Sequence, residues 1–203
     1  MNPRGNMTST SLVSRTLVQR LALVAALAAL TGCVTTTMPA PAPSAANAEK
    51  LRVTKFAPSQ VGTFKLAAGK PADMDTTLSL RASTVKPGNG SFAGQLRDEI
   101  ASELSAAGLL DSKSKIVIEG QLTDSMIDTG MSTGKGRLAA KIQVKRDGQT
   151  TFDKEIVAES SWESSFVGAI AIPAARNQYG ALYKTLVGKL FDDVDFKRAL
   201  APQ

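Results

Sequence analysis

The sequence predicts an α+β domain: a mixed, largely antiparallel sheet of about four to five strands with two helices packed on one face. Three observations predict it. Phe92, Leu96, Ile100 and Leu104 recur every four residues, the stripe of an amphipathic helix. Tyr179, Leu182, Tyr183, Leu186, Val187, Leu190 and Val194 follow the same periodicity near the end of the chain. Between them Leu138, Ala140, Ile142 and Val144 alternate with Lys141, Gln143 and Lys145, the period of a half-buried strand.

The elements follow in order. Folded sequence is expected from about residue 50, with a short strand at LRVTKF, residues 51–56, and a second near residues 63–66. Leu78, Leu80 and Ala82 alternate with Ser79, Arg81 and Ser83, predicting one strand, which Lys86-Pro-Gly-Asn-Gly ends. Ser91 is the N-cap of the first helix and Gly108 suits the left-handed position after its last turn. Ile116, Ile118 and Leu122 alternate with Val117, Glu119 and Gln121 in the next strand. A glycine-rich loop at residues 129–136 leads into the clearest strand. Asp147-Gly148 then turns the chain into a strand over about residues 151–160. Pro173 stands where the final helix is expected to begin. A helix between the strand at residues 78–83 and the strand at residues 116–122 predicts a right-handed parallel crossover. The last three strands form an antiparallel meander.

The register at Asp147-Gly148 follows from face matching. A two-residue turn would set Ile142 against Asp153, a core position against a carboxylate, because a one-residue slip reverses every face. A three-residue loop restores the match. With residues 147–149 as the loop, Val144 faces Phe152, Ala140 faces Ile156 and Lys141 faces Glu155. With residues 146–148 as the loop, Ile142 faces Phe152 and Lys141 faces Asp153. In either register Lys154 points toward the apolar side, an inward charge that suits an edge strand.

Ahead of the domain, Arg4, Arg15 and Arg20 precede an apolar run at residues 21–30, with no acidic residue among them: the layout of a secretory signal. The run is too short to span a bilayer, which takes roughly twenty apolar residues. It closes on Leu30-Thr31-Gly32-Cys33, which holds the only cysteine. This resembles the lipobox of bacterial lipoproteins. The resemblance implies that Leu30, Thr31 and Gly32 are read by the lipoprotein signal peptidase, that residues 1–32 are removed, and that the Cys33 thiol carries lipid. Two or more acyl chains give stable anchoring where one is marginal. Val34, where Asp favours inner-membrane retention in enteric-type lipoproteins, implies export to the outer membrane, facing the periplasm. Residues 33–49, rich in Pro, Ala and Thr, read as the acylated cysteine and a flexible tether. Residues 50–203 form the single folded domain.

Composition excludes whole classes of chemistry. No histidine occurs, so Ser-His-Asp triads and histidine metal sites are excluded. With Cys33 acylated, no thiol remains for a nucleophile, disulfide or zinc site. Cleavage takes three arginines and no acid, lowering the formal net charge from +6 to +3. The electrostatic case for nucleic acid weakens accordingly.

The remaining motifs read as structure. Ser132-Thr133-Gly134-Lys135 matches S-x-x-K, but the S-D-N and K-T-G partners are missing. Gly130, Gly134, Lys135 and Gly136 depart from a phosphate loop in spacing, in the residue after the lysine and in the element that follows. Asp192, Asp193 and Asp195 point in different directions on a helix and read as solvated charges. Trp162 reads as packing. No catalytic, metal or cofactor-binding residue is expected.

With its LRDEIASELSAAGLL, KIVIEGQLTDSMID and WESSFVGAIAIP segments, the chain resembles small periplasmic lipoproteins of the YajG type. The auxiliary lipoproteins of ABC transport systems share much of that layout, a TolB amino-terminal-like sandwich. The resemblance covers about residues 77–200. It implies an envelope accessory or interaction protein; the reading is a non-catalytic module with a protein partner, and the alternative is a carrier or sensor of envelope lipid or glycan. It supplies no active-site residue, partner identity or oligomeric state. One segment stands out: Phe166, Val167, Ile170 and Ile172 lie in an apolar connection where loops ordinarily run over the surface. They either fill one end of the sandwich or meet a partner, a ligand or the membrane.

Overall fold

The computed structural model describes residues 34–202, so Leu30, Thr31, Gly32 and Cys33 lie outside the described residues. The main sheet has four strands in the order β2-β5-β6-β7: β2 (Gln60–Leu66), β5 (Ile116–Asp128), β6 (Thr133–Arg146) and β7 (Gln149–Glu163). β2 runs parallel to β5, and β5, β6 and β7 form the antiparallel meander. Helices α2 (Phe92–Ala106) and α3 (Gly168–Asp192) pack on one face. The α+β class with a mixed, largely antiparallel sheet is therefore as the sequence predicts. The core sits between that face and the helices. Ile118 and Leu122 of β5, Leu138, Ala140, Ile142 and Val144 of β6, and Phe92, Leu96, Ile100 and Leu104 of α2 are all fully buried. Burying one such Val, Leu, Ile or Phe side chain stabilises by about 1.5–3 kcal/mol, which is why the period is kept at these positions.

A second, three-stranded sheet has the order β1-β4-β3, from β1 (Val34–Thr37), β3 (Leu78–Leu80) and β4 (Ser83–Lys86). Here the sequence expectation fails. Residues 78–83 are not one strand but a tight hairpin, with Leu78 opposite Val85 and Leu80 opposite Ser83. Arg81 turns the corner in the left-handed region at φ 53°, and Ala82 is exposed instead of inward. The parallel partner in the crossover is consequently β2, the shorter strand signal. Beyond β1 the Met38 N–H donates to the Lys86 carbonyl at 2.8 Å, so the far ends of β1 and β4 lie side by side. A bond joining the C-terminal ends of two paired strands makes them parallel, so Thr35 of β1 lies toward the Ser83 end of β4, the end next to the Arg81 turn.

The tether is also corrected. Residues 34–49 are not free chain: β1 is followed by an extended Pro-rich strap and α1 (Ala45–Val53), so LRVTKF begins as helix, not strand. Ser44 caps α1 by accepting from Asn47 N–H, and Met38 and Leu51 are buried in the core. Proline keeps residues 39–43 extended, but their carbonyls find donors: Gln95 Nε2 donates to Pro39 O, and Lys184 Nζ donates to Ala42 O.

The helix caps match the sequence. Ser91 Oγ accepts from Gly94 N–H at 2.9 Å, and Gly108 adopts φ 70° beyond α2. Asp75, at the end of a 3-10 turn (Ala72–Asp75), accepts from Ala93 N–H at 2.8 Å and places a carboxylate at the positive end of α2. The final helix differs at both ends. It starts at Gly168, five residues before Pro173, and it stops at Asp192. Asp193 then caps a separate α4 (Val194–Ala199), so Val194 leaves the predicted stripe and is exposed.

The hairpin keeps the first predicted register and a different loop. Val144 faces Phe152, Ala140 faces Ile156 and Lys141 faces Glu155. Yet Arg146 pairs with Gln149, so the turn is two residues, with Asp147 and Gly148 both at positive φ. A bulge takes up the difference: Val144 pairs with Phe152 and Lys145 with Thr150, leaving Thr151 unpaired. Lys154, on edge strand β7, bonds Asp193 at 3.0 Å and lies 5.7 Å from the Phe152 ring centre.

Candidate functional site

Three connections converge at the end of the sheet where β5 stops. Arg81 binds them together. Its Nε donates to Thr129 Oγ1 at 2.9 Å and its Nη1 to Phe166 O at 2.9 Å; its Nη2 donates to Ser165 O at 3.0 Å and to Gly130 O. The Ser164 N–H adds a bond to Ser132 O at 2.8 Å. Five guanidinium donors in a fixed fork suit such a set of carbonyls, which a lysine would satisfy less completely. The clasp holds four large apolar side chains in solvent: Met131 is 69% exposed, Phe166 74%, Val167 52% and Ile170 61%. Single exposed apolar residues are ordinary, but a contiguous group on one end is a mark of an interaction surface.

The predicted contact residues thus divide. Phe166, Val167 and Ile170 are exposed together, whereas Ile172 is turned inward and packs on the core. Helical phase explains the split: Ile172 stands three residues before buried Ala175 and seven before buried Tyr179. We expect Ile170→Asp to change stability by no more than about 0.5 kcal/mol, because the new carboxylate stays in water. Thermal denaturation of the purified protein measures this, and a sharp fall in melting temperature would mean the segment is core.

Sequence reasoning missed Arg81, because nothing in an alternating run marks a residue at positive φ. It also missed a second feature, on α2. Glu99 and Glu103 stand seven residues after Phe92 and Leu96, hence on the buried face, and that spacing was the available signal. Both are buried. Glu103 Oε1 accepts from Ser44 N–H at 2.9 Å and from Asn47 Nδ2 at 3.0 Å, locking the strap and α1 onto α2. Glu99 faces Lys184 at 3.5 Å and lines a cleft of about 680 Å³ between the strap, α2 and α3, with Arg176, Asn177 and Tyr183. Burial raises the Glu99 pKa above its ordinary value of 4.5; Lys184 opposes this and Glu103 adds to it.

The pH consequence has a definite sign. A carboxyl that holds its proton more tightly when folded stabilises the fold at low pH, and that contribution is lost as pH rises above 4.5 through the raised folded value. Glu99→Gln should therefore melt higher than the parent at neutral pH, with the gap closing as pH falls toward 4.5. A gap that widens toward acid would contradict this.

The other sequence candidates are structural. Lys135 lies within β6, opposite Asp128 and Ser161, and a strand instead of a helix follows the Ser132 loop. Gly134 lies against the Trp162 ring, where any Cβ would collide. The three carboxylates near the end of α3 each meet a cation: Asp192 bonds Lys50, Asp193 bonds Lys154, and Asp195 bonds both Lys154 and Arg198.

Comparison with known proteins gives a fold and no family. No family model matches the chain, and no curated protein matches it significantly. Among solved structures, a Xanthomonas campestris protein of the DUF330 family superposes with a TM-score of 0.52 at 11% identity. The match covers 78% of this chain and 95% of that one, and the two share a fold. A candidate lipoprotein of Caulobacter crescentus matches at TM-score 0.41 and 10% identity, over 74% of this chain and 93% of its own. A minor lipoprotein of Acinetobacter baumannii matches at 0.39 and 13%, over 72% and 91%. Among the described residues no helix is long and apolar enough to cross a membrane.

Proposed function

We propose that the protein is an acylated envelope lipoprotein, held at the outer membrane on its periplasmic face. It acts as a non-catalytic interaction or accessory module in envelope assembly, maintenance or transport. One observation carries the reading: the apolar run and Leu30-Thr31-Gly32-Cys33 end two residues before Thr35, where the compact domain begins. The acylation site and the fold adjoin. The resemblance to YajG-type and ABC-auxiliary lipoproteins supports the same reading. The missing histidine and the consumed thiol speak for binding over catalysis. A modest net charge speaks for a protein partner over nucleic acid.

Cys33→Ser tests it. We expect loss of acylation and of cleavage before residue 33, read as intact mass, with the signal retained. A native mature form starting elsewhere without acyl mass would refute the proposal. A second reading, a carrier or sensor of envelope lipid or glycan, rests on the cleft beside Glu99. The space between helices and sheet is filled by Phe92, Tyr179 and Leu186, so a ligand belongs in that cleft. Lipid or glycan co-purifying with the parent but lost in Tyr183→Trp would favour the carrier. A single protein cross-linked in intact cells would favour the module.

A further inference from the structure

The geometry points to a second membrane contact: the apolar end clasped by Arg81 lies on the bilayer and fixes how the domain stands on it. This rests on the acylated-lipoprotein reading and deepens it by naming the surface that meets lipid. Two independent features fall at one end of the molecule. The first is where the chain enters. Thr35 lies toward the Arg81 end of β4, and Cys33 is joined to Thr35 by no more than about 7 Å of chain. Acyl chains on Cys33 therefore bring the bilayer to that end, since no free tether intervenes. The second is what that end displays: Met131, Phe166, Val167 and Ile170, all exposed.

The clasp explains why these side chains stay out. Arg81 spends its donors on the carbonyls of the loops that carry them, so the Gly130, Ser165 and Phe166 carbonyls behind the apolar tips are already paired when those tips meet the headgroups. Acyl chains on Cys33 hold only the chain end at the bilayer, and the apolar tips add a separate contact that fixes the orientation of the domain. Asp128 and Glu163, both exposed, are the last residues of β5 and β7 and not part of the apolar tips. Contact is consequently driven by apolar burial and is nearly independent of salt. A bilayer fits better than a protein groove here because the site of acylation dictates what lies next to it.

The test uses the mature protein in vesicles of phosphatidylethanolamine and phosphatidylglycerol. Phe166→Cys and Ile170→Cys carry an environment-sensitive fluorophore. Lys113→Cys is the control, in the turn before β5 at the far end of the sheet. We expect brominated lipid to quench the labels at 166 and 170 severalfold more than the label at 113, at low and high salt alike. Equal quenching at all three positions overturns the inference. So does a label at 166 that, in native envelopes, is shielded from an aqueous quencher but untouched by brominated lipid, because a protein then covers the surface. Intact mass separates the two claims. Acyl mass on Cys33 with a solvent-exposed Phe166 label removes the inference and leaves the lipoprotein reading. Absence of acyl mass on Cys33 removes the lipoprotein reading and, with it, the inference that rests on it.

Discussion

Phe196→Ala should cost about 3–5 kcal/mol, the usual loss when a fully buried aromatic ring is truncated and its cavity remains. Phe196 is fully buried although it sits on the six-residue α4, at the end of the chain. Its ring stands edge-on to Phe152 at 5.4 Å and to Phe56 at 6.0 Å, and tilted against Phe191 at 6.1 Å. It therefore joins β7, the segment after α1, and α3 in one contact. Helix α4 is too short to hold itself, so its position depends on the Asp193 cap, the Lys154 ion pair and this ring. The melting temperature should fall by about 6–20 °C. Val194→Ala, on the exposed side of the same helix, should change stability by no more than about 0.5 kcal/mol. Denaturant titration of both variants measures the difference. A loss for Phe196→Ala as small as that for Val194→Ala would show that α4 is not part of the core.

What the sequence made legible was periodicity sustained over whole elements. The α2 stripe, its cap at Ser91, the meander and the face matching of β6 on β7 were all readable, because each is a repeated choice that burial enforces. What it hid was punctuation by a single residue. Asp193 ends a helix whose apolar period runs on to Val194, and Arg81 splits what reads as one strand into a hairpin. Thr151 enters as a bulge, so a two-residue turn and a three-residue register coexist. Such events cost one hydrogen bond or one unusual φ and leave no period behind.

The candidate surface was half legible for a related reason. An apolar connection at residues 164–173 was visible, but its direction depended on helix phase, and the helix begins at Gly168, ahead of Pro173. Proline in the second turn removes a donor aimed at the carbonyl of exposed Ala169, where water can replace it, so it does not prevent the early start. Phase then sends Ile170 outward and Ile172 inward. The strap was illegible because its partners are distant. Composition marks residues 34–48 as unable to bury much surface alone, and that is correct for the isolated segment. The donors and acceptor that hold it, Gln95, Lys184 and Glu103, lie on α2 and α3.

That strap gives the second large effect. Glu103→Ala should release residues 35–53 while leaving the sheet folded. The Glu103 carboxylate is the only side chain that pairs with both the Ser44 amide and the Asn47 amide among the described hydrogen bonds, and all three groups sit where water does not reach them well. Removing it strands the Ser44 N–H and takes one of two acceptors from Asn47 Nδ2, which keeps the Lys184 carbonyl at 3.2 Å, at the point where α1 begins. Bonds to a charged acceptor contribute about 1.5–3 kcal/mol each, so the local stability of the strap should fall by about 2–4 kcal/mol once the lost desolvation of the carboxylate is set against them. Glu103→Gln keeps an acceptor oxygen for Ser44 and should hold most of the strap in place. Hydrogen exchange distinguishes the outcomes: in Glu103→Ala the amides of α1 should exchange quickly while those of β5 and β6 stay protected. Loss of protection in α1 and the sheet together would mean that the strap is not a separable unit. If it is separable, its functional weight is large. Docked, it leaves the domain against whatever holds Cys33; released, the same residues span up to about 65 Å. On the proposed lipoprotein reading, the strap held by the buried Glu103 carboxylate sets the length of chain between the domain and its anchor.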